Sequence, residues 1–354
     1  MLATPPAPRL APAAGTERAL REVVRRARPF HERLHAARAA PVPPGDPSPA
    51  ALKRLATWRE TLSRGDDAAF NLRLAWDGLD EAAALAAMGD APAEDGDAPL
   101  PAWAQVLRGA YAWDQGGVTL ELAPDDRALD ASDPLPFEPA LLPLVRHARG
   151  QVERACGPAS TLLHANAHAA LERSLLKRLA SLCAKALFAR FSAARAMRGM
   201  GGMFAPAADG TAYDAFVASL GGGGMLRFFS DVPVAARLAG TATLQWIDTT
   251  AELLQRLGDD TPRLRDELFG GAAPGGVRRL RCDAADFHGG GRSVYILEFE
   301  SGARAVYKPR PLALEPAFAG LAAWLAAQPE GVELRVPAVV ALPTHGWLEF
   351  VERA

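Results

Sequence analysis

The sequence predicts an α+β fold, mainly helical in its amino-terminal part and completed by a small antiparallel sheet with one helix. Two observations carry that reading. Apolar residues recur at three- and four-residue steps up to about residue 270. After Gly275 the period falls to two, so the architecture changes there.

Taken in order, the first fifty residues hold one expected helix over about Thr16–Ala39 and a Pro-rich break at Pro41–Pro49. Helical spacing returns from Ala50 to Trp113, interrupted by the acidic, Ala-rich stretch Gly89–Pro101, which reads as a surface loop. A turn-rich boundary spans Pro124–Pro136, and PFEPALLPLVRHARGQV then resumes an amphipathic pattern. The longest periodic stretch, Ser160–Phe191, places Leu163, Leu171, Leu175, Leu179, Leu182 and Phe188 on a core face. Gly199–Met203 should end it as a flexible joint. A short helix at Tyr213–Leu220 is set off by Gly221–Gly224, and Leu244, Ile247, Ala251 and Leu254 mark a further helix closing near Gly258. In SVYILEF and ARAVYK the side chains alternate about the turn Glu300–Gly302, which predicts a β-hairpin. Pro309 and Pro311 force the chain out of the ladder. Leu314, Phe318, Leu321, Trp324 and Leu325 then describe an amphipathic helix, and two short strands follow within Val336–Leu342 and Trp347–Val351. The expected divisions are a variable helical region over 1–130, a helical part over 131–275 and a small sheet-bearing lobe over 276–354.

Composition excludes several classes of function. The 354 residues are 49% hydrophobic, ample for a continuous core. Thirty-nine Lys and Arg against 41 Asp and Glu leave a net charge of -2, so no overall field attracts nucleic acid or an anionic membrane. No apolar run approaches the ~20 residues of a membrane span, and the Ala- and Pro-rich start lacks a basic and then apolar signal pattern. A cytoplasmic location is expected. Cys156, Cys183 and Cys282 are odd in number and scattered, which predicts ordinary buried or partly buried thiols. His164, His168 and Glu172 stand four apart, but not in HExxH order and with no further Cys or His, so they read as a polar helix face and no zinc or other metal site is assigned. Trp246, Trp324 and Trp347 fall on apolar faces and read as core.

Chemistry concentrates in DFHGGGRSVYILEFESGARAVYKPR, Asp286 to Arg310. Gly289, Gly290 and Gly291 precede a strand, where backbone N–H groups can approach a phosphate with no Cβ in the way. Lys308 ends the neighbouring strand and can reach the same phosphates. Taken singly, the glycines also fit a flexible hairpin approach and Lys308 a solvated strand end. Together with the helix that follows, they have the order of a protein kinase: glycine-rich loop, strand lysine, helix.

HGGGRSVYILEFESGARAVYKPRPLALEPAF followed by HGWLEFV resembles the dehydratase domain of class II lanthipeptide synthetases. So do the upstream PLPFEPALLPLVRHAR, LERSLLKRLASLCAKAL, YDAFVASL and the stretch ending QWIDTTAELLQRL. The likeness covers roughly residues 131–354, while 1–130 fit the family's variable helices loosely. It implies a lipid-kinase-like domain with added helices that uses ATP and magnesium to phosphorylate Ser and Thr of a ribosomal precursor peptide, leader and core, and then eliminates the phosphate. On that resemblance Lys308 is the phosphate lysine, and Gly289, Gly290, Gly291 and Arg292 cover the phosphates. Asp286 and His288 are catalytic and serve in proton removal or elimination, their individual roles open. Glu315 either pairs with the lysine, as in kinases, or sits as an acid at its helix start.

The catalytic loop and magnesium carboxylates of a kinase belong to its second lobe, which is expected beyond Ala354. The chain by itself is therefore expected to bind ATP weakly and not to dehydrate peptide. Three alternatives stand beside this: a non-catalytic peptide- or nucleotide-binding protein, half of a split synthetase completed by a separate chain, and an unrelated helical protein with a chance hairpin.

Overall fold

The computed structural model describes residues 14–39, 47–89, 99–201, 209–282 and 289–352. The α+β class holds. In chain order the helices are α1 (Ala14–Arg26), α2 (Phe30–Ala39), α3 (Pro49–Ser63), α4 (Asp67–Trp76), α5 (Glu81–Met88), α6 (Ala102–Tyr111), α7 (Glu138–Cys156), α8 (Ala165–Gly201), α9 (Asp209–Ser219), α10 (Gly224–Asp231), α11 (Pro233–Arg263) and α12 (Leu314–Ala326). They fall into two compact units, one within residues 1–105 and 226–237 and the other within 106–225 and 238–354.

In the first unit the single helix expected over Thr16–Ala39 is two. Pro29 disfavours helical geometry at Arg28, and the Arg33 guanidinium closes the break by donating to the carbonyls of Arg28 (2.8 Å) and Arg26 (2.9 Å). Three starts downstream are capped by side chains: Ser48, Asp66 and Asp80 accept from the N–H groups of Ala51, Ala69 and Ala83. Leu55, Phe70, Leu74 and Ala84 form a buried cluster, against which Trp58 packs, tilted to Phe30 at 4.8 Å and edge-on to Phe70 at 5.4 Å. The expected loop at Gly89–Pro101 and the break at Pro41–Pro49 lie largely outside the described residues.

In the second unit α8 packs on the strand Val277–Arg281, α7 packs on α8, and α11 reaches the strands Arg304–Lys308 and Gly346–Glu349 through its polar side chains. Trp246 on α11 donates to the Leu171 carbonyl of α8 at 3.1 Å, inside the core as expected. α8 runs on through Gly201, and the rest of the Gly199–Met203 joint lies outside the described residues. α11 does not close at Gly258. It continues to Arg263 and a π-type turn at Leu264–Leu268, because Leu264 is buried and extends the apolar face past the glycine.

Among the described residues the sheet has five strands, β1 (Val277–Arg281), β2 (Tyr295–Phe299), β3 (Arg304–Lys308), β4 (Val339–Ala341) and β5 (Gly346–Glu349), in the order β1-β2-β3-β5-β4 and antiparallel throughout. The β2–β3 hairpin, α12 and the last two strands follow the sequence pattern. β1 does not: a bulge between Val277 and Arg279 spaces its buried residues Val277 and Leu280 three apart, so no alternation marks it. One transverse row, Tyr295–Tyr307–Trp347–Val340, is wholly buried. The adjacent row, Ile296–Val306–Leu348–Val339, is only half-buried and forms the other face.

α12 forms where expected but departs from expectation in what it buries. Ala322 is its buried residue, whereas Leu314, Phe318, Leu321 and Trp324 are 79%, 55%, 52% and 60% exposed. Trp324 is therefore a surface residue, and Trp347, fully buried, is the core residue the sequence suggested. Among the described residues no helix is long and apolar enough to cross a membrane.

Candidate functional site

The ladder decides where Lys308 stands. Tyr295 pairs with Tyr307, so Lys308 lies one step further on, beside Val294 and three residues from Gly291. The glycine turn and the lysine are thus at the same end of the hairpin. Alternation separates them in another sense: the Tyr307 hydroxyl faces α11, where it accepts from Arg256 at 2.7 Å, so Lys308 is on the half-buried face with Val306. No hydrogen bond or ion pair engages the Lys308 ammonium among the described residues.

Gly289–Gly291 form a short 3-10 turn between β1 and β2, with Gly290 and Gly291 at φ +75° and +83°. A Cβ on Gly291 would stand 2.9 Å from Gln245 Cβ and 3.2 Å from Arg178 Nη1, so both backbone sign and space require glycine there. A Cβ on Gly289 would meet nothing within 4 Å, so the turn is backed by helices at one end and open at the other. Arg292 does not extend over that opening. Its Nη2 and Nε lie 3.0 and 3.1 Å from Glu252 on α11, and its Nη1 donates to the Gly289 carbonyl at 3.4 Å.

Glu315 is in the first turn of α12, where Arg310 holds its Oε1 at 2.7 Å. The other carboxylate oxygen is buried and has no hydrogen-bond partner among the described residues. Glu315 shares a cleft of about 370 Å³ with Leu314, Phe318, Val339 and Leu348, on the face that carries Lys308. Asp286 and His288 lie outside the described residues.

Sequence reasoning missed the polar groups behind the sheet. Glu252 also pairs with Arg256, whose second amino group reaches Thr344 Oγ1 at 3.2 Å in the β4–β5 turn. Deeper, Asp260 Oδ2 takes the Trp347 indole N–H at 2.8 Å and His345 Nε2 at 2.6 Å, with all three side chains buried. Burial pushes the Tyr307 phenol up, opposed by Arg256. One signal existed: Glu252, Arg256 and Asp260 recur at four-residue steps along α11.

His164, His168 and Glu172, read as a polar helix face, each have a protein partner. His164 Nε2 lies 2.9 Å from Glu300, His168 Nε2 meets the Ser160 carbonyl at 3.0 Å, and Glu172 is buried against Arg127 at 2.6 Å. Cys156 and Cys183 are buried and Cys282 is partly buried.

The profile of a family described as a domain of unknown function (DUF4135) matches residues 232–354, which span α11, the sheet and α12. No curated protein matches the chain.

Proposed function

We propose that the sheet and α12 are the nucleotide-facing lobe of a lanthipeptide dehydratase, which phosphorylates Ser and Thr of a ribosomal precursor peptide with ATP and then eliminates the phosphate. The observation that carries this is a cation, Lys308, that has no partner among the described residues and stands at the end of an apolar shelf (Ile296, Val306, Leu348) and at the glycine end of the hairpin. An adenine ring fits such a shelf by burying apolar area, and an ammonium neutralises phosphate charge beside it.

The order β1, glycine turn, β2, β3 with its lysine, α12 supports the reading, since kinases use it to hold a triphosphate. So does Glu315, whose free buried oxygen lies on the lysine's face. The DUF4135 match is consistent as well, because that domain is found in lanthionine synthetase-like proteins. Lys308 would hold the phosphates, with the backbone of Gly289 and Gly290 at their open side. Magnesium would arrive with the triphosphate, and no residue here is assigned to it. Asp286 and His288 remain the proposed proton-transfer groups, and a second lobe, in the same or a separate chain, would supply the remaining catalytic residues.

Equilibrium binding of a fluorescent ATP analogue tests the nucleotide step. Lys308→Ala should weaken it at least tenfold while the fold, read by circular dichroism, stays intact. Equal affinity in the variant removes the basis of the proposal. Incubation with ATP, magnesium and a precursor peptide, followed by mass spectrometry, tests the chemistry through addition of phosphate or loss of water.

A further inference from the structure

The strand register leaves one matter open: what holds the glycine turn at its distance from the lysine strand. β2 begins at Tyr295, four residues after Gly291, with Arg292 at a bridge position between them. Side chains add a link to α11. On α11 the two oxygens of Glu252 are divided between two arginines: Oε2 takes both the Nε and Nη2 of Arg292, and Oε1 takes Arg256. Arg292 belongs to the glycine turn and also bonds its first carbonyl, at Gly289. Arg256 grips Tyr307, the residue next to Lys308, and Thr344 between β4 and β5. One carboxylate thereby joins three separate pieces of the lobe.

We propose that Glu252 is a positioning residue that sets the glycine turn against the Lys308 strand, and that Arg292 serves as its tether and not as a phosphate ligand. The proposal rests on the nucleotide reading above, but the tether itself is a statement about this chain's own contacts. The side chains are 22% (Glu252), 18% (Arg256) and 44% (Arg292) exposed, so the pairs are partly shielded from water, and charge-assisted bonds of this kind are directional. Arg292 faces Glu252 and the Gly289 carbonyl, so its guanidinium is already committed on two sides.

Glu252→Gln is a sharp test because it keeps the length of the side chain and leaves one acceptor oxygen for two arginines. Glu267→Gln, which breaks an exposed pair with Arg263 in the turn after α11, is the control. Two readouts are needed: amide hydrogen exchange of peptides covering 289–294 and 342–346, and the affinities of the full chain for ATP and for AMP. Glu252→Gln should speed exchange in 289–294 about tenfold and weaken ATP about tenfold, with AMP changed less than twofold, because a misplaced turn affects the phosphates and not the base. Arg292→Ala should match Glu252→Gln, and the double variant should be no worse than either. Unchanged exchange in Glu252→Gln overturns the tether whatever the nucleotide data say. An Arg292→Ala defect in ATP binding tenfold beyond that of Glu252→Gln makes the arginine a phosphate ligand and overturns its assignment. If the unaltered chain binds neither nucleotide, the nucleotide reading and the positioning role both fall, and the exchange data alone decide whether the tether exists.

Discussion

Replacing Asp260 by alanine should loosen the sheet from α11 more than any other single change behind it. The carboxylate accepts from Trp347 at 2.8 Å and from His345 at 2.6 Å, and all three groups are buried. Alanine strands two donors where water does not reach. At ~1–3 kcal/mol for each buried group left unpaired, the loss is about 4 kcal/mol. Asparagine can still present one oxygen, so Asp260→Asn should cost about half as much. The assay is urea unfolding followed by amide exchange in the strand peptides, so that the sheet is read directly. Trp347→Phe deletes one of the donors, and in the Asp260→Ala background it should cost ~1–2 kcal/mol less than alone. A loss under ~1 kcal/mol for Asp260→Ala, or strict additivity in the double variant, would refute the claim that these bonds are made away from solvent.

Three further outcomes are expected. Gly346→Ala puts a Cβ 2.7 Å from Leu312 Cγ and 2.9 Å from the Val340 carbonyl, so it should destabilise the β4–β5 pair by ~1–3 kcal/mol in the same unfolding assay. Burial holds the imidazoles of His147 and His168 below their ordinary value. The unfolded chain therefore takes up protons first, and stability should be full above pH ~6.5 and fall as the pH drops below it. Melting temperatures between pH 7.5 and 5.5 measure this, and the double Gln variant should show a flatter slope; a steeper one contradicts the assignment. Burial pushes the Cys183 thiol up to about 12 and also raises Cys156. Alkylation at pH 8 followed by peptide mapping should therefore modify Cys282 first, and comparable labelling of Cys183 would show that the core opens readily.

What was legible in the sequence follows periodicity. β2 and β3 alternate cleanly and were found, whereas the bulge in β1 converts a two-residue period into three and hides the strand. Gly258 has the local signature of a helix end, while Leu264 keeps α11 attached to the core beyond it. Gly289–Gly291 and Lys308 were visible as types in an order, and the register does bring them to one end of the hairpin. The other half of the site was not visible. Whether Arg292 faces phosphate or Glu252 depends on a contact across 40 residues, and the pairing of Glu315 with Arg310 depends on how the chain turns after Pro311. Trp324 failed for a related reason: an amphipathic pattern announces an apolar face without saying that anything covers it.

That face of α12 has a dynamic consequence. A helix anchored through a single alanine gives up little buried area when it lifts away, so its opening free energy should sit far below that of α11, which is rooted by Leu253, Leu254 and Leu257. Amide protons of 314–326 should then exchange by local opening while those of the long helix wait for the whole unit to unfold. Kosmotropic salts, which penalise wetted apolar surface, should slow the first process and leave the order of the two unchanged.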